Sequence, residues 1–307
     1  MNRIKLSILF ITLFVPLSLF SAEIKKETRV FAVKDNQKLK MDVYSSDSLF
    51  TSGQPCLMFV FGGGFKEGTR DAALYKDYFY YFANKGFKVV SIDYRLGMKG
   101  QKAPTLFNNK PLRNAIGVAV ADLYSATNYL LQNAEELNID TSKIIISGSS
   151  AGAITVLQAD YEKCDHREPA KVLPDNFRYA GVIAFAGSIF STEGLPSYTQ
   201  RPAPTLFFHG SKDKLVPYNK TRFFNRGVFG SKPLAKRFKG EGYPYTFYTM
   251  ENIGHDVSEY PMKEFLPEID RFIRDFVFDH KQWMLDIHLE DKFRKSDTST
   301  NPGSYYN

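Results

Sequence analysis

Histidine, cysteine and tryptophan are scarce in these 307 residues: five, two and one respectively. The sequence has no Cys/His cluster that would hold a transition metal, and neither a metal nor a cofactor is expected. The glycine run at 62–64 lacks the lysine and hydroxyl residue of a nucleotide-binding loop, which excludes that reading. Positive charge is in modest excess, +7, and the 40 lysines and arginines are scattered among 33 acids. That distribution excludes a nucleic-acid footprint. The one long apolar run, Leu6 to Phe20, is interrupted by Pro16 and falls short of the ~20 residues that span a bilayer. No membrane anchor is expected.

That run has another use. Arg3 and Lys5 precede it and Ser21-Ala22 follow it, which is the order of a secretory signal peptide. Residues 1–22 are therefore expected to be removed and the product to be periplasmic or extracellular. The loss takes away two basic residues and no acid, so the net charge falls from +7 to +5. Residues 23–282 read as one α/β domain. Residues 283–307 read as an extension whose polar, turn-rich end, "DTSTNPGSYYN", is expected to be disordered.

Strand-like runs occupy 28–34, 38–45, 56–62, 87–93, 143–148, 179–187, 205–210 and 245–250. The first two alternate and suggest a hairpin. The later ones are nearly continuous apolar runs, as strands buried on both faces should be. Helical patterns lie between them, near 71–85, 112–136, 151–161, 219–228, 231–239 and 262–280. The alternation predicts an α/β fold with a mostly parallel, eight-stranded sheet and helices on both faces.

In such a sheet ligands sit beyond the carboxyl ends of the strands. The stretch "IIISGSSAG" (144–152) lies there, as strand, sharp turn and helix. The pattern G-x-S-x-G fits one register, Gly148 to Gly152, and makes Ser150, not Ser149, the candidate nucleophile. The Ala151 amide, opening the helix, points where an oxyanion would form. A serine needs a base, and among the histidines His255 follows the last of these strands on the carboxyl side. His209 reads as packing beneath a loop, His166 as part of a charged stretch, and His280 and His288 lie past the last core helix. For the acid that orients the imidazole, Asp213 follows a strand directly, Asp256 adjoins His255, and Asp93 could instead tie its own loop through Arg95. The glycines of "VFGGGFKEG" (60–68) allow two backbone amides to turn towards Ser150.

From about residue 28 to 280 the chain resembles the α/β-hydrolase superfamily, in particular the esterase and lipase group with an HGGG-type oxyanion loop. The resemblance is carried by "GGGF" (62–65), "DYRL" (93–96), "DLYSATNYLLQNAEELNID" (122–140), "GSSAGA" (148–153), "HGSKDKLVP" (209–217) and "GHD" (254–256). It implies Ser150 as nucleophile, His255 as base, Asp213 as orienting acid, and Gly63, Gly64 and Ala151 as oxyanion donors. Phe61 stands where the motif usually has histidine, so the side-chain bond that braces the loop must be replaced. The implied reaction is two-step acyl transfer on a small-molecule or oligosaccharide ester. A serine exopeptidase usually carries a propeller domain, for which this chain has no room. A non-catalytic glycan-binding homologue would show a broken triad.

Three further expectations rest on that fold. It places Cys56 and Cys164 on neighbouring elements, so in an exported protein a Cys56–Cys164 disulfide is expected, with two buried free thiols as the alternative. No large cap domain is expected, because the first strand follows the signal peptide directly and residues 188–204 are too few for a helical lid. An uncovered site suits short acyl or aryl groups and admits a sugar alcohol. Phe65, Tyr94, Phe107, Phe190 and Tyr198 are candidate platforms for acetylated or feruloylated glycans.

Overall fold

The apolar runs assemble side by side. A computed structural model describes residues 23–46, 53–105 and 108–307; the signal-peptide reading of residues 1–22 and the Phe107 platform lie outside the described residues. Two antiparallel strands, β1 (Ile24–Lys34) and β2 (Gln37–Ser46), turn at Asp35 and Asn36. Both turn residues have positive φ, 51° and 59°, the conformation that Asp and Asn tolerate best in a tight hairpin. There follow β3 (Gln54–Val60), β4 (Lys88–Ile92), β5 (Ile139–Ser149), β6 (Gly181–Phe185), β7 (Ser188–Ser191), β8 (Thr205–Gly210), β9 (Lys220–Phe223), β10 (Arg226–Gly230), β11 (Tyr245–Met250) and β12 (Met284–Leu289). The main sheet has the order β1-β2-β4-β3-β5-β6-β8-β11-β12 and is parallel from β4 onwards. A second sheet, β7-β10-β9, stands beside it.

The helices are α1 (Lys76–Asn84), α2 (Lys110–Gln132), α3 (Ala151–Cys164), α4 (Ser231–Glu241), α5 (Pro261–Glu264), α6 (Leu266–Phe272) and α7 (Pro302–Tyr306). Almost every residue of α3 is buried, because it lies between the sheet centre and α2. Its small residues at 151–153 let it start hard against the strand ends. The core is aromatic at its centre: Phe59, Phe79, Phe82 and Phe185 are fully buried around Tyr78.

Four expectations are corrected. The sheet has nine strands, because β12 extends β11 in parallel from Tyr245↔Met284 to Met250↔Leu289. Residues 219–228 form part of a β9–β10 hairpin instead of a helix; β10 pairs with β7, and this pairing outweighs local helical spacing. The polar end does not form a disordered tail: Asn301 caps α7, which docks on the glycine loop. Finally, Cys56 and Cys164 are both buried free thiols. Cys164 Sγ faces the Arg201 carbonyl at 3.6 Å, on the segment entering β8. Cys56 instead sits inside β3, opposite Lys88 of β4 and Ile144 of β5.

Candidate active site

β5 ends at Ser149 and α3 begins at Ala151, leaving Ser150 alone on the corner with φ 51° and ψ −113°. Positive φ at a residue with a side chain is strained, by about 1–3 kcal/mol. The corner is held by its own backbone: the Ser150 amide donates to the Phe185 carbonyl at 2.8 Å, and its carbonyl accepts from Ile154 at 2.9 Å. Gly148 has no room for a side chain, since a β-carbon there would lie 2.3 Å from the Gly152 carbonyl group.

The structure brings Ser150, His255 and Asp213 together. His255 Nε2 lies 2.8 Å from Ser150 Oγ, and its Nδ1 lies 2.7 Å from Asp213 Oδ2. With Nδ1–H donated to the carboxylate, Nε2 is left to accept the serine proton. The other carboxylate oxygen accepts the amides of Leu215 at 2.9 Å and Val216 at 3.0 Å. Burial alone would push the Asp213 carboxyl up; hydrogen bonds from His209 and His255 outweigh it and hold the group well below the usual carboxylate range. His209 itself is fully buried beneath Asp213, with Nδ1 on Ser231 Oγ at 2.7 Å and Nε2 on the Val216 carbonyl at 3.1 Å.

The competing acids are engaged elsewhere. Asp256 accepts from Ser296, facing away from the imidazole it adjoins in sequence. Asp93 holds Arg70 at 2.9 Å and the Lys40 amide at 3.0 Å. Its expected tie to Arg95 is not made; Arg95 instead grips the buried Asp122 at 2.8 Å. His166 meets Gln200, and His288 meets Glu251 at 2.9 Å, both on exposed surface.

The glycine loop passes directly over the serine, so that a β-carbon on Gly62 would lie 3.3 Å from that of Ser150. Gly63 and Gly64 have φ of 109° and 59°, in the region open to glycine, which lets consecutive amides turn inward. Ala151 begins a helix, and its amide has no intrahelical acceptor. Phe61, in place of the expected histidine, stacks on Tyr94 with ring centroids 4.4 Å apart. The Tyr94 hydroxyl donates to the Phe61 carbonyl at 3.2 Å, and the Gly62 amide donates to the Tyr75 hydroxyl at 3.1 Å. Two tyrosines thus brace the loop. Neither was recognisable as a brace in the sequence, since Tyr75 sits in an ordinary helical stretch and Tyr94 resembled a ligand platform.

Two clefts meet at Ser150. One, of about 400 Å³, is bounded by Gly64, Phe65, Ala151, Ile154, Ser188 and Phe190, among others, and is mostly apolar. Ser188 Oγ is buried there without a hydrogen-bond partner. The other, of about 260 Å³, is lined by Gly62, Gly63, His255 and Glu259. Phe65 and Phe190 thus face the site, whereas Tyr94 braces the loop and Tyr198 packs against Tyr161, Phe238 and Tyr243.

The BD-FAE family model, which describes α/β-hydrolase esterases, matches residues 41–189. The Est2 esterase of Thermogutta terrifontis superposes with a TM-score of 0.60 over 82% of this chain and 93% of its own, at 23% identity. The chain has the α/β-hydrolase fold. Among curated sequences the chain is 29% identical over 116 residues to the fumonisin B1 esterase of Sphingopyxis macrogoltabida, covering 38% of this chain and 21% of that enzyme. It is 34% identical over 104 residues to cholinesterase 2 of Branchiostoma lanceolatum, covering 34% of this chain and 29% of that one. The matched segment is therefore less than a third of either relative. No large cap domain is present among the described residues.

Proposed function

We propose that this protein is an exported serine carboxylesterase acting on short-chain acyl or aryl esters, including acetyl or feruloyl esters of carbohydrates. The observation that carries the reading is the unbroken hydrogen-bonded chain from Asp213 through His255 to Ser150, opening on a cleft of about 400 Å³. Ser150 Oγ attacks the ester carbonyl as its proton passes to His255 Nε2. Asp213, ionised and fixed by two backbone amides, faces the imidazolium that forms. The amides of Gly63, Gly64 and Ala151 receive the oxyanion. The alcohol leaves with the proton from His255, and water, deprotonated in turn by His255, hydrolyses the acyl-enzyme.

A cleft of this size suits a compact acyl group. The Thermogutta relative has been solved with butyrate bound, which points the same way. Export rests on the charged, apolar and small-residue order of residues 1–22. The test is kcat/KM across nitrophenyl esters of two to sixteen carbons, on acetylated and feruloylated oligosaccharides, and on aminoacyl anilides. Preference for short or aryl esters supports the reading. Preference for the longest chains overturns the size argument, and turnover of anilides alone would make the protein a peptidase. No release from any sugar ester removes the carbohydrate part.

A further inference from the structure

Residues 296–306 run from the histidine loop to the glycine loop, and so along the rim of the site. Ser296 Oγ accepts the Gly254 amide at 2.8 Å, one residue from His255. A β-carbon on Gly254 would lie 2.0 Å from the Asp297 carbonyl oxygen, so the segment lies flush on the histidine loop. Next, α7 drops onto the glycine loop. Lys66 Nζ donates to the Tyr305 carbonyl at 2.6 Å and lies 4.4 Å and 5.4 Å from the centres of the Tyr305 and Tyr306 rings. The Tyr305 hydroxyl donates to Glu67 at 3.0 Å, and the Tyr306 hydroxyl donates to the Gly64 carbonyl at 2.8 Å. Gly64 leaves the space these rings fill: a β-carbon there would be 2.5 Å from the Tyr305 ring and 2.9 Å from the Tyr306 oxygen.

The position of His255 decides which side of the ester this segment meets. The leaving alcohol takes its proton from His255 Nε2, so it must occupy the smaller cleft, which His255 lines. The acyl group then lies in the larger cleft, away from His255, where Pro302, Gly303, Tyr305 and Tyr306 form one wall. Tyr305 borders both clefts and stands between them.

We infer that Tyr305 and Tyr306 are specificity-determining residues, which close the acyl cleft and limit the length of acyl chain that Ser150 can accept. The inference rests on the esterase reading. It assigns the limit not to a cap between strands but to a segment anchored by Lys66 and Glu67 on the same loop that supplies the oxyanion amides.

The experiment compares three variants with the wild type: removal of residues 301–307, Tyr305→Ala/Tyr306→Ala, and Lys66→Met, which loosens the anchor and leaves the wall residues in the chain. The readout is the ratio of kcat/KM for nitrophenyl octanoate to that for nitrophenyl acetate, a ratio that general damage to the site does not move. Room for added methylenes should raise it about tenfold in the first two variants, with a smaller rise in Lys66→Met. Thermal melting confirms that each variant is folded, and Lys66→Met covers the case in which the others are not. Wild-type turnover with an unchanged ratio in the folded variants overturns this inference alone. A wild type that turns over no ester overturns the esterase reading and this inference with it.

Discussion

Gly152 and Val60 touch: a β-carbon on Gly152 would stand 1.9 Å from the Val60 carbonyl oxygen. This contact packs the start of α3 against the end of β3, the strand that leads into the glycine loop. The serine corner and the oxyanion loop are therefore registered on one another through a position that tolerates no side chain.

Gly152→Ala must push β3 and α3 apart, with an expected stability loss of about 3 kcal/mol and a drop in activity. Gly117, inside α2, has nothing within 4 Å of its would-be β-carbon. There the same substitution should stabilise by about 0.5–1 kcal/mol through helix propensity. Urea unfolding of the two variants checks this, and equal effects would refute the contact argument.

Ser149 and Ser150 should separate cleanly. Ser149 Oγ donates to the Ser258 carbonyl at 2.8 Å, tying β5 to the histidine loop, and takes no part in the proton path. Ser149→Ala should keep turnover within about tenfold while losing about 1–2 kcal/mol of stability, because a buried carbonyl is left unpaired. Ser150→Ala should lose on the order of 10⁴-fold or more in kcat. A dead Ser149 variant beside an active Ser150 variant would assign the nucleophile wrongly.

Asp213→Asn should slow turnover on the order of 10⁴-fold, whereas Asp256→Asn and Asp93→Asn should stay within about tenfold. The wild-type Asp213 carboxyl is held below its ordinary value, so its stabilising contribution is complete above the unfolded carboxylate pKa of about 3.9 and is lost as pH falls through the lower folded value. Asp213→Asn should therefore flatten the acid side of the stability curve. Equal losses at Asp213 and Asp256 would reopen the choice of acid.

How much of this was legible in the sequence follows from the range of each interaction. Apolar runs bounded by turns mark β3 to β6 because burial on both faces leaves a local trace. Gly148, Ser150 and Gly152 are legible for the same reason, since the corner they form lies within five residues. The 219–228 stretch misled because strand β10 exists by pairing with β7, some forty residues earlier. Choosing Asp213 over Asp256 needed a fold as well as a sequence, since adjacency to His255 does not make a side chain face it. The docking of Tyr305 on Lys66 joins positions 239 apart and shows in no local pattern. The thiols fall in the same class: that Cys164 meets the Arg201 carbonyl and not Cys56 shows in no local pattern.

The stability of the fold should also carry a second titration, at Asp160, and of opposite sign. This carboxyl lies within α3, 4% exposed, and its polar contacts are the Ala203 amide at 3.2 Å and the Cys164 thiol at 3.9 Å. Burial outweighs both and pushes its pKa up to about 7, from an ordinary 3.8. Between about pH 4 and 7 the unfolded chain sheds this proton while the folded protein keeps it, so stability falls as pH rises through that window. The span of about three pH units is worth on the order of 4 kcal/mol. Asp160→Asn preserves an oxygen for the Ala203 amide and has nothing to titrate. The variant should gain on the wild type from pH 4.5 to about pH 7 in urea midpoint and then level off by pH 8, with no change in the acyl-chain preference of a site it does not line. A constant difference across that range would mean that Asp160 is ionised in the folded protein, and the burial argument would fail.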